Sequence, residues 1–282
     1  MNEIKQIVET VAETNNDGTI VTEADYISDD GLVYCGKCHT PKQCRVKIMG
    51  EEITPYVPCY CRQKELERQE LDQKLREMTA YIENNRRKCF PDRQLMSWSF
   101  DNSDNNEIRF MTVALNYCKN FAEMYNNGCG LMFYGDVGVG KTFAAACVAN
   151  RLIDKGKRVF MTDFSRIINT LWGLKDGKQD YLDNLNCYDL LIIDDFASER
   201  NTEYANEIVM NVIDSRCRSG KPLIITTNLP ADEVLKSTDI SKKRIYSRIC
   251  KMCLPVKCEG RKDYRKTICA RNNSKFRDIL GL

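Results

Sequence analysis

One stretch restricts the fold more than any other: Gly135-Asp136-Val137-Gly138-Val139-Gly140-Lys141-Thr142. It meets the spacing G-x-x-x-x-G-K-[ST] at every fixed position. In such a loop the glycines let backbone N–H groups turn inward, where a Cβ would block the path. A following helix aims its positive end at the same point. The flanks supply both requirements. Leu131-Met132-Phe133-Tyr134 reads as a short buried strand, and Phe143 to Leu152 as a helix stopped near Gly156. The loop therefore predicts a nucleotide triphosphate cradle. Lys141 is expected at the β- and γ-phosphates and the Thr142 hydroxyl on Mg²⁺. Gly135, Asp136, Val137, Gly138, Val139, Gly140 and, just inside the helix, Phe143 complete the expected nucleotide-binding set.

A second motif lies downstream. In Asp189-Leu190-Leu191-Ile192-Ile193-Asp194-Asp195, four apolar residues in a row read as a strand buried on both faces, as in a parallel sheet. Two carboxylates close it, at the strand edge where open α/β sheets bind ligands. Asp194 is expected to partner Mg²⁺, directly or through water. Asp195 is placed to polarise the attacking water. Two acids ending a surface strand would mean little. After an apolar run, downstream of a phosphate loop, they form a Walker B motif. Pro222 to Thr227 is the next apolar strand, with Asn228 at its end. That amide either orients water near the γ-phosphate or caps the region Ala231-Asp232-Glu233, and position alone leaves both open.

The remaining pattern alternates strands and helices. Arg158 to Thr162 reads as a strand, Phe164 to Leu174 as a helix ended between Gly173 and Gly177, and Cys253 to Lys257 as a last strand. Glu203 to Arg218 reads as a helix with Thr202 as cap and Gly220 as stop. Ile108 to Tyr125 reads as one helix before the phosphate loop. Trp98 and Phe100 precede it, and core packing is favoured over an adenine cover. The C-terminal part is basic, with Lys242, Lys243, Arg244, Arg248 and Lys251, then Arg261, Lys262, Arg265 and Lys266. Most of these read as a solvated surface. Arg244 and Arg248 share a helix face, and one or two arginines reaching a nucleotide on an adjacent subunit is the sharper expectation.

Ahead of this domain the chain changes character. Cys35-Gly36-Lys37-Cys38 is followed some twenty residues later by Cys59-Tyr60-Cys61. Two close pairs joined by a short extended segment can bring four thiolates to one tetrahedral zinc ion. So few apolar residues surround them that a metal would help supply the folding free energy. His39 and Cys44 are alternative ligands. Such a closed site is structural rather than catalytic. The other cysteines among the 15 read as core thiols in a reducing compartment.

Residues 1 to 30 are polar, with a short amphipathic helix expected around Ile4, Ile7, Val8 and Val11. Arg62 to Lys88 reads as a long charged helix whose thin stripe of Leu66, Leu71, Leu75, Met78 and Ile82 suits a linker or a partner surface equally. The expected division is a cysteine-bearing region over 1–61, a helical linker over 62–95 and a nucleotide domain over 96–282. A net charge of +2 imposes no global field toward nucleic acid or membrane. Apolar runs are too short to span a bilayer, and Met1 to Thr10 has no signal-peptide core, so a cytoplasmic location is expected.

Taken together, the Gly135–Thr142 loop, Leu190-Leu-Ile-Ile-Asp-Asp195, Ile224-Ile-Thr-Thr-Asn228, Arg244-Ile-Tyr-Ser-Arg-Ile249 and Asp263-Tyr-Arg265 resemble the DnaC/DnaI-type AAA+ ATPases. The resemblance covers about residues 95 to 270. It implies an AAA+ α/β fold with a five-stranded parallel sheet of order 5-1-4-3-2. It also implies an ATPase that loads the hexameric replicative DNA helicase onto single-stranded DNA as an ATP-dependent homo-oligomer. Asn228 would be sensor 1, Arg248 an arginine finger acting in trans, and Arg265 the sensor 2 arginine. Catalytic residues would then be Lys141, Asp194, Asp195, Asn228 and Arg248. The cysteine pairs resemble the zinc-binding, helicase-interacting head of DnaI-like loaders. The related IstB transposition ATPases share most of these motifs, and a helper binding duplex DNA and a transposase is the alternative. Asp195 stands where many AAA+ ATPases carry Glu, which implies slow hydrolysis. Loops near Ser198 to Asn201 and the C-terminal basic residues are the expected contacts to single-stranded DNA.

Overall fold

The computed structural model describes residues 22–48, 50–101, 109–198, 202–230, 240–259 and 280. The helix expected around Ile4, the Ala231–Glu233 region, and Arg261, Lys262, Arg265 and Lys266 lie outside these residues. The chain divides into two compact units, 1–79 and 80–282.

Among its described residues the first unit has little sheet. Strands β1 (Tyr26–Ile27) and β2 (Val33–Tyr34) pair antiparallel, as do β3 (Val46–Ile48) and β4 (Glu51–Ile53). Helix α1 (Tyr60–Cys89) begins one residue before Cys61, so that cysteine sits in its first turn. Along α1, Leu71, Leu75 and Met78 are exposed.

In the second unit a tight turn over Arg93–Ser97 precedes α2 (Arg109–Lys119) and α3 (Phe121–Asn126). The single helix expected over Ile108–Tyr125 breaks at Asn120, whose backbone leaves the helical region at φ −102°, ψ 21°. Then come β5 (Gly130–Tyr134), α4 (Lys141–Asp154), β6 (Val159–Thr162), α5 (Phe164–Gly173), α6 (Lys178–Leu185) and β7 (Leu190–Phe196). The chain continues with α7 (Glu203–Ser219), β8 (Leu223–Thr227), α8 (Ile240–Met252) and β9 (Cys253–Lys257). Helix α6 is an element that sequence reasoning missed.

Five strands form one parallel sheet in the order β6-β7-β8-β5-β9. Counted from the loop-bearing strand β5 as first, this is the 5-1-4-3-2 order. The strand composition follows from burial on both faces. Leu190 and Ile192 pack with α4 residues such as Ala145, Val148 and Leu152 on one face. Leu191 and Ile193 pack with Ile167, Ile213 and Ile249 on the other. Alternate residues of one run feed two cores, so no position tolerates a polar side chain. Phe100 is core, and Trp98 packs partly buried against Phe143 with ring centroids 5.3 Å apart.

One buried charge braces the sheet's other end. Arg216 of α7 is wholly buried. Its guanidinium donates to Pro222 O at 2.7 and 3.1 Å, Tyr188 O at 3.0 Å, Asp189 O at 3.2 Å and Leu185 O at 3.4 Å. The planar fork thereby joins the turns before β7 and β8.

Candidate nucleotide site and cysteine centre

Strand β5 delivers the chain to Gly135 at the C-terminal edge of the sheet. Its φ of +141° and the neighbouring Cys258 carbonyl, 2.4 Å from where a Cβ would stand, leave room only for glycine. Lys141 opens α4 with its side chain nearly buried. Its Nζ donates to Gly135 O at 2.8 Å, Asp136 O at 2.7 Å and Asn228 Oδ1 at 2.7 Å. The ammonium is thus held inside its own loop, beside the helix N-terminus, where an entering phosphate finds backbone N–H groups and a cation together.

The two strand-end carboxylates are differently placed. Asp194 Oδ1 accepts from Thr142 Oγ1 at 3.0 Å and from Thr226 Oγ1 at 2.5 Å. Burial raises the Asp194 carboxyl above the usual carboxylate range, against the pull of the Thr226 and Thr142 hydroxyls. Thr142 and Asp194, an oxygen pair 3.0 Å apart beside the loop, fit the hard-oxygen donor set of Mg²⁺. Asp195 Oδ1 instead accepts from Asn228 Nδ2 at 3.1 Å. Asn228 therefore spends both ends of its amide on the site, one on Lys141 and one on Asp195.

Between the acids the backbone is irregular. The β7–β8 pairing runs Ile193 to Ile225 and resumes at Phe196 to Thr227. Two residues, Asp194 and Asp195, thus oppose the single residue Thr226, which is a β-bulge. Asp195 lies in the left-handed region at φ 51°, as does Ala197 at φ 70°. That conformation costs a residue with a Cβ about 1 kcal/mol.

Arg248, on α8, is engaged with α7. Its Nε donates to Asp214 of α7, and Nη1 donates to Arg244 O at 3.4 Å. Asp214 also pairs with Arg218 at 3.4 Å. Arg265, expected at the nucleotide, lies outside the described residues. One surface feature was missed in the sequence. Trp172, at the end of α5, is 75% exposed, and its ring meets that of Tyr204 edge-on at 6.2 Å. Phe164, Ile167 and Leu171 take the buried face of α5 and leave Trp172 outside. Of the loop expected to meet nucleic acid, Ser198 is described, and 199–201 are not.

In the other unit, the Sγ atoms of Cys35, Cys38, Cys59 and Cys61 all lie within 4.8 Å of one another. A zinc ion holding four sulfurs at about 2.3 Å spaces them about 3.8 Å apart, so the set fits. His39 and Cys44 are not in the cluster, and the His39 ring instead meets the Tyr26 hydroxyl at 3.3 Å. The Thr40 hydroxyl, 3.1 Å from Cys38 Sγ, holds that thiol down at about 5. Cys61 is pushed up to about 12, first by its hydrogen bond with Cys38. Thiols this close contest their protons, and a bound dication releases them. The knuckle rests on Gly36, where a Cβ would stand 1.8 Å from Ala24 O. Gly36 N–H donates to Asp25 at 3.1 Å, and Asp25 in turn pairs with the buried Lys42 at 2.5 Å.

Among the described residues no helix is long and apolar enough to cross a membrane.

Known proteins resemble this chain in sequence and in fold. The replicative helicase loader DnaI of Bacillus subtilis is 25% identical over 174 residues, 57% of this chain and 55% of its own. The replicative helicase loader DnaC of Escherichia coli is 27% identical over 128 residues, 44% of this chain and 52% of its own. The chain thus spans about half the length of these curated relatives. A solved DnaC helicase loader superposes with a TM-score of 0.52 at 26% identity, covering 60% of this chain and 100% of that one. A solved DnaI, at 20% identity and a TM-score of 0.53 over 61% of this chain and 96% of that one, shares the fold. The sequence model of the IstB-like ATP binding protein family matches residues 63–268. That span holds the whole ATPase site described above, and the cysteine cluster precedes it. The chain belongs to the IstB-like ATP-binding protein family.

Proposed function

We propose that this protein is an ATP-driven loader of the replicative DNA helicase. The observation that carries the ATPase part is the amide of Asn228, which joins the phosphate-loop lysine to the Walker B acid Asp195, and the likeness to helicase loaders supports the rest. Lys141 exchanges its loop carbonyls for β- and γ-phosphate oxygens. Thr142 and Asp194 would hold Mg²⁺, whose charge would offset that on the phosphates. Asp195, oriented by Asn228, polarises a water whose oxygen bonds to the γ-phosphorus as the bond to the ADP oxygen breaks. Arg248 completes a neighbouring subunit's site in an ATP-dependent homo-oligomer, and Arg265 contacts the nucleotide of its own chain.

The other assignments rest on the surroundings. Cys35, Cys38, Cys59 and Cys61 hold a structural zinc, and the unit they stabilise, with the exposed Leu71, Leu75 and Met78 of α1, receives the helicase. Single-stranded DNA stacks on Trp172 and Tyr204, because an exposed aromatic pair accepts any base by its face. A cytoplasmic location suits these partners. The division into a zinc head, a helical linker and an AAA+ domain belongs to the same reading. The IstB-type reading, a transposition helper, shares the ATPase site, and the cysteine cluster ahead of it favours the loader.

A phosphate-release assay tests this. Hydrolysis should be slow for the protein alone, rise with single-stranded DNA and the helicase of the same source, and vanish in Arg248→Ala. Stimulation by duplex DNA but not by single strands or helicase would transfer the assignment to the transposition helper.

A further inference from the structure

Thr226 is buried on β8 and was not among the residues expected to act. It is the one residue facing the two acids across the β7 bulge. Its hydroxyl both donates and accepts: Oγ1 donates to Asp194 Oδ1 at 2.5 Å and accepts the Asp195 backbone N–H at 2.9 Å. The first bond fixes the carboxylate that also meets Thr142. The second pins the peptide of a residue held at φ 51°. One oxygen therefore sets both the metal-side carboxylate and the water-side carboxylate. A left-handed, bulged residue persists only where its surroundings over-determine it. Next to Thr226, Thr227 Oγ1 donates to Phe196 O at 2.9 Å and closes the bulge from its far side.

We propose that Thr226 is a positioning residue of the ATPase site, whose hydroxyl registers Asp194 and Asp195 against each other. The proposal rests on the ATPase reading above. It requires a side chain that both donates and accepts at this point of β8. Serine meets that need. Valine fills the same space and suits a strand, but it leaves the Asp195 N–H and one Asp194 oxygen without this partner.

Two variants of this chain test it. Thr226→Val should fold, keep its nucleotide affinity, and lower kcat about 10- to 100-fold, the scale expected when a catalytic group is misplaced by about 1 Å. The Mg²⁺ concentration giving half-maximal hydrolysis should rise in the same variant. Thr226→Ser should stay near wild type in both. Amide hydrogen exchange read at Asp195 supplies a measure independent of turnover, with faster exchange in Thr226→Val and slow exchange in Thr226→Ser. Unchanged exchange at Asp195 in the valine variant would overturn the proposal. So would an unchanged kcat, a serine variant as slow as valine, or a kcat loss matched by equal loss of nucleotide affinity. A wild-type protein that never hydrolyses ATP would instead defeat the ATPase reading, and the exchange data would still decide the role of Thr226.

Discussion

Lys141 and Asn228 stand 87 positions apart in the chain, yet the lysine Nζ donates to the Asn228 Oδ1 at 2.7 Å. The parallel pairing of β5 with β8 makes this meeting possible, since both strands end at the same edge. The amide's other end reaches Asp195, so Asn228 links the phosphate grip to the hydrolytic acid. Asn228→Ala should lower kcat about 100-fold, within the usual range for groups acting on proton transfer, with ATP affinity nearly unchanged. Lys141→Ala should lose both. Nucleotide titration beside steady-state phosphate release separates the two, and equal losses of affinity would refute the separation.

Half-buried Asp194 implies a trade between stability and function. Its folded-state pKa is raised, so between the ordinary value of about 3.9 and the folded value the native chain binds more protons than the unfolded one. Stability from this group therefore falls as pH rises through that window, and the ionised form burdens the fold at neutral pH. Asp194→Asn should melt above wild type at pH 7 in chelator without nucleotide, the gap should narrow as pH falls, and hydrolysis should be lost. A lower melting temperature at pH 7 would contradict this account.

Arg216 carries the opposite expectation. Burial pushes its guanidinium down to about 10, which leaves it charged at neutral pH. Truncation strands the Pro222, Tyr188, Asp189 and Leu185 carbonyls together. Arg216→Ala should cost about 3–5 kcal/mol in urea unfolding. The exposed Arg218→Ala, two residues on, should stay within about 0.5 kcal/mol.

Sequence and structure agree where burial is two-sided. Leu190 to Ile193 could only be a central strand, and the phosphate loop fixed what precedes and follows it. Elsewhere the sequence was mute for physical reasons. Arg216 sits among polar residues of an amphipathic helix and reads as surface, because carbonyl partners leave no sequence trace. Thr226 looks like any strand threonine, since a bulge in the facing strand is invisible to alternation. Helix α6 was hidden by Gln179, Asp180, Asp183 and Asn184, which mask the short apolar set of Tyr181, Leu182 and Leu185 that packs on the core. Trp172 went unnoticed because sequence alone does not say which apolar residues of α5 face the core, and Phe164, Ile167 and Leu171 take that face.

Trp172 gives the nucleic-acid reading a direct optical test. The chain has two tryptophans, and the other, Trp98, is partly buried against Phe143. Oligothymidine should quench the exposed Trp172 emission, and Trp172→Ala should weaken binding by about 1–3 kcal/mol per stacked base. Equal affinity in the alanine variant would remove this surface from the DNA path.

The central claim is that a metal-held head delivers an ATPase to the replicative helicase. Native mass spectrometry of the full chain mixed with the helicase of the same source, with and without ATP and Mg²⁺, tests it most directly. The account predicts a helicase complex carrying zinc, lost when Cys35 and Cys38 are both changed to Ser and kept in the exposed-cysteine control Cys187→Ser. No complex under any nucleotide condition, or a complex indifferent to the Cys35 and Cys38 changes, would contradict it.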